Sequence, residues 1–148
     1  MLGCVYNPFT GEMFSAEKGK GAFLNGKPIR VSDRQLDKAL VGFGTAPYNR
    51  ELHEKTFRAA AVLLEEAVDV RRSGSAAMDL AYVACGRLDA YFELILSPWD
   101  LAAGALLVRE AGGIFTMPFL DRPRCDVKAA VVAANPQCRE RVLQVVKE

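Results

Sequence analysis

The chain has 148 residues, of which 51% are hydrophobic and 25% charged, with a formal net charge of +1. This composition is ordinary for a soluble globular protein with a sizeable core, and its scattered basic residues predict neither a nucleic-acid partner nor a membrane surface. No apolar run approaches the roughly 20 residues of a membrane helix, and no secretory signal is visible, so we expect a cytoplasmic protein.

The cysteines and the single histidine favour neither a zinc site nor nucleophilic catalysis. Cys4, Cys85, Cys125 and Cys138 form no Cys-x-x-Cys pair, and His53 is far from all of them in sequence. A single histidine also makes Ser-His or Cys-His catalysis a poor hypothesis. We expect buried, reduced thiols, as in a cytoplasmic protein.

Residues 3–31 are predicted to form short antiparallel strands. The segment 7–11 is typical of a turn, and Asn25-Gly26 is a strong hairpin signal. Strands this short need sheet neighbours and a covering layer, so they are not expected to be stable alone.

From Ser32 onward the pattern predicts alternating strands and helices. Strands are expected at 39–44, 68–71, 88–94, 114–117 and 129–134, and helices at 50–67, 73–86 and 98–111 and from Asn135 to the C-terminal end. This alternation favours an α/β layer with helices on both faces of a sheet. In the first helix, helical spacing predicts a buried stripe formed by Phe57, Ala60, Ala61, Leu64 and Val68.

The helix predicted after Ser97 has both ends marked in the sequence. Ser97 is a suitable N-cap, Pro98 suits the first helical position, and Gly112-Gly113 ends the helix. Because the intervening residues are apolar on nearly every face, we expect a buried helix. Asp100 in its first turn is either a capping-box acid or a metal or substrate ligand, and both roles can coexist on different oxygens.

Two further stretches have both a structural and a functional interpretation. The turn Gly74-Ser75-Ala76 opens a helix, where exposed N–H groups and a small hydroxyl suit an anionic or polar ligand, but simple N-capping explains it too. Glu93 lies towards the carboxyl end of a strand, where ligands of open α/β sheets bind. The alternative for Glu93 is a solvent-facing strand acid.

One long motif, at residues 99–113, reads Trp-Asp-x-Ala-Ala-Gly-x-Leu-Leu-Val-x-x-x-Gly-Gly. It resembles the C-terminal signature of the inositol monophosphatase family of magnesium-dependent phosphatases. The segments 3–8, 18–26 and 132–135 also look like family sequence, so the resemblance covers essentially the whole chain. It implies an α/β fold (α+β overall), a truncated layered sandwich. Residues 1–34 would be antiparallel strands left from the first domain, and residues 35–148 a C-terminal α/β domain with a mixed sheet.

The resemblance also implies roles for individual residues. Asp100 would be catalytic and hold a magnesium ion, while Gly74, Ser75, Ala76 and Glu93 would bind the alcohol portion of the substrate. Ser75 replaces a commoner Thr but keeps the hydroxyl. The family's other metal ligands, an early Glu and an Asp-Pro-x-Asp-Gly-Thr motif, are missing, since the sequence contains no Asp-Pro or Asp-Gly.

We therefore expect the C-terminal part of a Mg²⁺-dependent phosphomonoesterase for a small phosphorylated alcohol, first of all inositol monophosphate. Adenosine bisphosphate, fructose bisphosphate and histidinol phosphate are rival substrates, and the chain alone is expected to have little or no activity. The alternative is a non-catalytic truncated product that acts as an interaction module. Its unpaired strands at residues 3–31 would then pair with a second copy, as a homodimer, or with a complementary N-terminal segment.

Overall fold

A computed structural model describes residues 1–122, 124 and 126–148 of the chain. Its strands are β1 (Leu2–Asn7), β2 (Glu12–Glu17), β3 (Gly21–Leu24), β4 (Lys27–Ile29), β5 (Leu40–Phe43), β6 (Asp69–Arg71), β7 (Ala90–Leu96), β8 (Ile114–Thr116) and β9 (Ala129–Ala134). Its α-helices are α1 (His53–Glu66), α2 (Ala76–Ala84), α3 (Pro98–Glu110) and α4 (Arg139–Lys147). Single 3₁₀ turns occupy Leu36–Lys38 and Arg50–Leu52.

The first four strands form an antiparallel sheet, as the sequence predicts, and their order is β1-β2-β3-β4. The β3–β4 hairpin turns at Asn25 and Gly26, whose φ angles are 48° and 76°. Two left-handed residues in a row are what a tight turn between twisted strands requires, and Asn and Gly tolerate them best. The Asn25 side chain also accepts the Met13 N–H at 2.8 Å, which ties the turn to β2.

The second sheet has the order β6-β5-β7-β9-β8. Strands β6, β5 and β7 are parallel, whereas β9 runs antiparallel to both β7 and β8. The carboxyl ends of the three parallel strands therefore lie at one edge, so the loops that follow them meet there. These loops and the first turns of the helices that follow them carry every residue for which the sequence predicts a role in binding, apart from Glu93, which lies within β7 itself.

The elements stack in layers, with α2 and α3 between the two sheets and with α1 and α4 on the outer face of the second sheet. The inner core joins β1–β3, α2 and α3 to one face of the second sheet, and Phe14, Leu80, Leu101 and Leu107 are fully buried in it. The outer core joins α1 and α4 to the opposite face. The mixed α/β architecture with helices on both faces of the second sheet confirms the predicted fold class. The division at residues 34 and 35 stays a prediction.

Side chains of β7 alternate between these cores. Tyr91 faces the inner core, whereas Phe92 and Leu94 face the outer core. Leu96 returns to the inner core because the pairing of β7 with β9 shifts register between Glu93 and Leu96. Such an irregularity re-aims side chains at the end of a strand.

Two local predictions need correction. In α1 the buried residues are Thr56, Ala59, Ala60 and Leu63, so the predicted stripe is wrong except at Ala60. The large side chains of Phe57 and Leu64 are 55% and 48% exposed, because small alanines let the helix approach its neighbours closely. In α3 the middle is buried as predicted, but Trp99 in the first turn is 78% exposed. No helix among the described residues has the length and apolar character needed to cross a membrane.

Candidate active site

Glu93 lies in β7 and is only 7% exposed, so the solvent-facing alternative is wrong. Its Oε1 accepts the Ala46 N–H at 2.8 Å, and its Oε2 accepts the Tyr91 O–H at 2.6 Å. The carboxylate fills the space above Gly44, where an added Cβ would overlap it. Both donors are uncharged groups, which is unusual for a buried acid.

The turn Gly74-Ser75-Ala76 lies beside Glu93, as the lining of one small cavity of about 80 Å³ shows. Gly74 has a φ of 93°, which bends the chain into α2. The hydroxyl of Ser73 accepts the Ser75 N–H at 3.1 Å. The Ser75 side chain, at the N-cap position of α2, makes no capping hydrogen bond. Its hydroxyl is therefore not engaged in the capping role that the sequence left open.

Asp79 is a second buried acid in the same cavity, and sequence reasoning missed it. It belongs to α2 and is 3% exposed. The pKa of the Asp79 carboxyl is raised to about 6, with burial as the largest cause. The negative charge of Glu93 also raises this pKa, while the hydrogen bond with Ser73 and the positive charge of Arg72 lower it. The signal in the sequence was an acid inside an otherwise apolar helix. Aspartate is rarely buried unless it has a partner or a functional role.

Asp100 lies in the first turn of α3 and is half-buried. It lines a cleft of about 370 Å³ together with Glu93, Ser97, Trp99 and Lys128. The Ser97 side chain makes no capping hydrogen bond, although the backbone Asp100 N–H donates to the Ser97 carbonyl at 3.0 Å. Glu93 thus stands between Asp100 on one side and the Gly74–Ala76 turn on the other, since it lines both cavities.

Tyr91 completes the acidic cluster and was also missed. Burial raises the pKa of its hydroxyl far above the ordinary value, and the negative charges of Glu93, Asp79 and Asp100 add to the effect. The tyrosine therefore stays protonated and acts as a hydrogen-bond donor. Its signal was its position two residues before Glu93, on the same face of the strand.

The chemistry of this donor set does not by itself suit a magnesium ion. Magnesium takes about six oxygen ligands in octahedral geometry. Within residues 1–122, 124 and 126–148, no group of three or more His, Cys, Asp or Glu side chains is arranged to hold a metal. Asp100 could supply one ligand, but the described residues do not supply the rest.

Comparison with known proteins shows which family has this fold and these motifs. The model of the inositol monophosphatase family matches residues 1–148. This chain belongs to the inositol monophosphatase family. Its family is one of phosphatases that are generally metal-dependent.

The chain is 43% identical over 148 residues to "Nus factor SuhB" of Xylella fastidiosa, covering 96% of this chain and 54% of that protein. It is 48% identical over 110 residues to "Inositol-1-monophosphatase" of Rhizobium meliloti, covering 74% of this chain and 41% of the relative. The solved structure of an inositol monophosphatase from Anabaena superposes with a TM-score of 0.89 at 38% identity, covering 99% of this chain and 58% of that one. The chain thus spans about half the length of the relatives it matches.

Proposed function

We propose that this chain forms the alcohol-binding part of a magnesium-dependent phosphomonoesterase whose substrate is a small phosphorylated alcohol, first of all inositol monophosphate. The observation that carries the proposal is Glu93. It is a buried carboxylate held by two neutral donors, and it opens into the cleft that Asp100 lines. The chain's relative from Rhizobium meliloti is named "Inositol-1-monophosphatase", after a substrate of this class.

In this proposal the residues of the chain bind and orient the alcohol. A carboxylate is an acceptor with about four lone-pair sites, so Glu93 accepts hydrogen bonds from hydroxyl groups. The backbone at Gly74 and Ala76 and the hydroxyl of Ser75 contact the same alcohol from the N-terminus of α2. Asp100 serves as one metal ligand, and the other ligands of the magnesium ion come from outside this part of the chain.

The same reasoning bears on the rival substrates. Adenosine bisphosphate, fructose bisphosphate and histidinol phosphate all offer hydroxyl or amine donors to an acidic pocket, so the family fold alone does not separate them. The pair of acids, Asp79 and Glu93, disfavours the two bisphosphates, because a second phosphate would be repelled at this end of the cleft. It does not disfavour histidinol phosphate, which has a single phosphate and an amine.

The test is magnesium-dependent phosphate release from inositol monophosphate by purified residues 1–148, with Asp100→Asn as its partner variant. We expect little or no release from either protein, because one carboxylate does not hold magnesium. Release by the wild type that Asp100→Asn abolishes would contradict this expectation and show that copies of the chain assemble a working site. Phosphate release that persists in Asp100→Asn would show that Asp100 is not a catalytic residue.

A second candidate function is that of a non-catalytic interaction module. Two observations favour it: several relatives are named Nus factors, and the four-stranded sheet leaves Leu2, Tyr6 and Met13 exposed beside its edge strand β1. An unpaired edge with apolar neighbours favours pairing with another strand. The occupant would be a second copy of the chain or a complementary N-terminal segment, with residues 1–34 acting as part of a larger first domain.

The oligomeric state distinguishes these occupants. Light scattering on the purified chain should give a dimer mass if β1 pairs with a second copy. Replacing Cys4 in the middle of β1 by Pro would remove an N–H that points away from β2, towards the open edge, and should then return a monomer. A monomeric wild type would exclude the homodimer and leave the complementary segment.

Cys4, Cys85 and Cys138 carry free thiols. Cys138 is buried and Cys85 is half-buried, but Cys4 is exposed, so the expected burial is wrong for Cys4. We propose a cytoplasmic location, in which such thiols stay reduced.

A further inference from the structure

The surroundings of Glu93 are more constrained than binding of an alcohol by itself would require. Its two carboxylate oxygens are fixed separately, Oε1 by the Ala46 N–H and Oε2 by the Tyr91 O–H. Two bonds at opposite ends of one carboxylate set both its position and the orientation of its plane. Neither donor belongs to the residues for which the family resemblance implies a role.

The segment Gly44–Ala46 is shaped around this carboxylate. Gly44 leaves the space that the carboxylate occupies, because an added Cβ would collide with Glu93. Ala46 has a φ of 44°, a left-handed conformation that an alanine disfavours. The conformation is held by the Asn49 N–H, which donates to the Ala46 carbonyl at 2.8 Å, and it aims the Ala46 N–H at Glu93. Observed strain of this kind is a pointer to function.

Tyr91 supplies the other fixed point. The whole residue is buried, yet its hydroxyl is directed at Glu93 and not at water. A phenylalanine would fill the same apolar space, so packing explains the ring but not the hydroxyl. A buried hydroxyl needs an acceptor, and Glu93 is the acceptor that it has.

We propose that Tyr91 and the segment Gly44–Ala46 are positioning elements for Glu93, which they hold with one acceptor site on each oxygen left for the hydroxyl groups of a bound polyol. This rests on the proposed function, because it assumes that Glu93 receives the alcohol. An acceptor-only group of fixed orientation selects a ligand that donates two hydrogen bonds, such as a cyclitol with neighbouring hydroxyls. It disfavours a ligand that offers only carbonyl or phosphate oxygens.

The first arm of the test measures the positioning without any ligand. Amide hydrogen exchange of Ala46 is followed by NMR in the wild-type chain, in Tyr91→Phe and in Tyr82→Phe. Tyr82 is a matched control, since it is half-buried in α2 and its ring packs edge-on against Phe14 at 6.3 Å. We expect exchange at Ala46 to become about tenfold faster in Tyr91→Phe and to stay unchanged in Tyr82→Phe.

An internal reporter separates local positioning from a general loss of stability. The Gly44 N–H donates to the Phe92 carbonyl at 2.9 Å, two residues away from Ala46. If Tyr91→Phe only weakens the fold, both amides exchange faster to the same degree, and the inference is overturned. It is also overturned if Ala46 exchange does not change. Faster exchange at Ala46 with no change at Gly44 supports it.

The second arm adds the probe myo-inositol, with inorganic phosphate as a comparison ligand. Tyr91→Phe should bind myo-inositol about fivefold more weakly than the wild type, because Glu93 loses one of the two hydrogen bonds that hold it, and Gly44→Ala should weaken binding at least as much. Equal binding by wild type and Tyr91→Phe would overturn the positioning role. If the wild type does not bind myo-inositol, the proposed function fails for this chain, and the exchange at Ala46 alone decides whether Tyr91 positions Glu93.

Discussion

Two buried carboxylates lie four residues apart along the chain, one just before β7 and one within it, and they differ in their hydrogen-bond partners. Asp89, directly before β7, is fully buried and accepts hydrogen bonds from the Ser32 hydroxyl, from Arg34 Nε at 2.8 Å and from the Leu40 N–H at 2.7 Å. Glu93, within β7, has two neutral donors, no cation among the described partners and a cleft in front of it.

The difference separates a structural acid from one suited to a ligand. The partners of Asp89 tie the segment after β4 to the second sheet, and a charged Arg34 offsets much of the cost of burying the acid. Glu93 lacks such an offset and lies near another acid, Asp79. A buried charge left short of partners is costly for the fold, so its retention points to binding of a ligand that donates hydrogen bonds.

The largest effect is expected when the structural acid is removed. Asp89→Ala should lower the free energy of unfolding by about 3 kcal/mol, because it leaves a buried N–H and a guanidinium without their acceptor. Urea denaturation followed by circular dichroism measures the loss. Asp121→Ala, at an exposed position, is the control and should change stability by less than about 0.5 kcal/mol. A comparably small change in Asp89→Ala would remove the contrast between the two acids.

A smaller effect is expected from Asp79, and it depends on pH. The pKa of the Asp79 carboxyl is about 6 in the folded chain and 3.8 in the unfolded chain, so the folded state binds the proton more tightly. Stability from this group is therefore highest at or below pH 4, falls as the pH rises towards 6 and is constant above that. The loss is on the order of 2 kcal/mol, taking about 1.4 kcal/mol per pKa unit and reducing the product by about a third because Asp79 borders a small cavity.

Asp79→Asn removes this dependence, since the amide resembles the protonated acid. The variant should match the wild type near pH 4 and exceed its unfolding free energy by about 2 kcal/mol at pH 7. Urea denaturation at both pH values checks this, and the comparison of the two proteins cancels the titration of the other acids. A constant difference across the pH range would mean that Asp79 does not titrate as proposed.

Sequence reasoning predicted the architecture better than the details of the site. The antiparallel strands at residues 3–31 could be predicted because turns such as Asn25-Gly26 have characteristic sequences, whereas the buried face of α1 could not be predicted. Helical spacing selects the largest apolar side chains, and Phe57 was chosen on that basis. The helix instead buries Ala59 and Ala60, since its closeness to the sheet and to α4 is set by tertiary packing.

The site was predicted residue by residue only where a motif existed. Asp100, Glu93 and the Gly74–Ala76 turn stand in or beside motifs, and the structure brings Glu93 close to each of the others. Their roles remain predictions. Tyr91, Ala46 and Asp79 carry no motif, because their importance comes from contacts between β5, β7 and α2 that local sequence does not encode.

The smallest change in stability, and the sharpest test of the contrast with Asp89, is expected from Glu93→Gln. The glutamine oxygen can still accept the Ala46 N–H, and its amide can donate to the Tyr91 hydroxyl, which then loses its own acceptor. Loss of the charge relieves Asp79 and offsets part of this cost, so stability should stay within about 1 kcal/mol of the wild type. Removal of the neighbouring charge should also lower the pKa of Asp79 from about 6 towards its ordinary value, which a ¹³C NMR titration of its carboxyl group measures. Glu66→Gln is a control, because Glu66 pairs with Arg141 on the outer layer and should leave the Asp79 titration unchanged. A loss of about 3 kcal/mol in Glu93→Gln, equal to that in Asp89→Ala, would instead make Glu93 a second structural acid, and the case for a ligand at this carboxylate would fail.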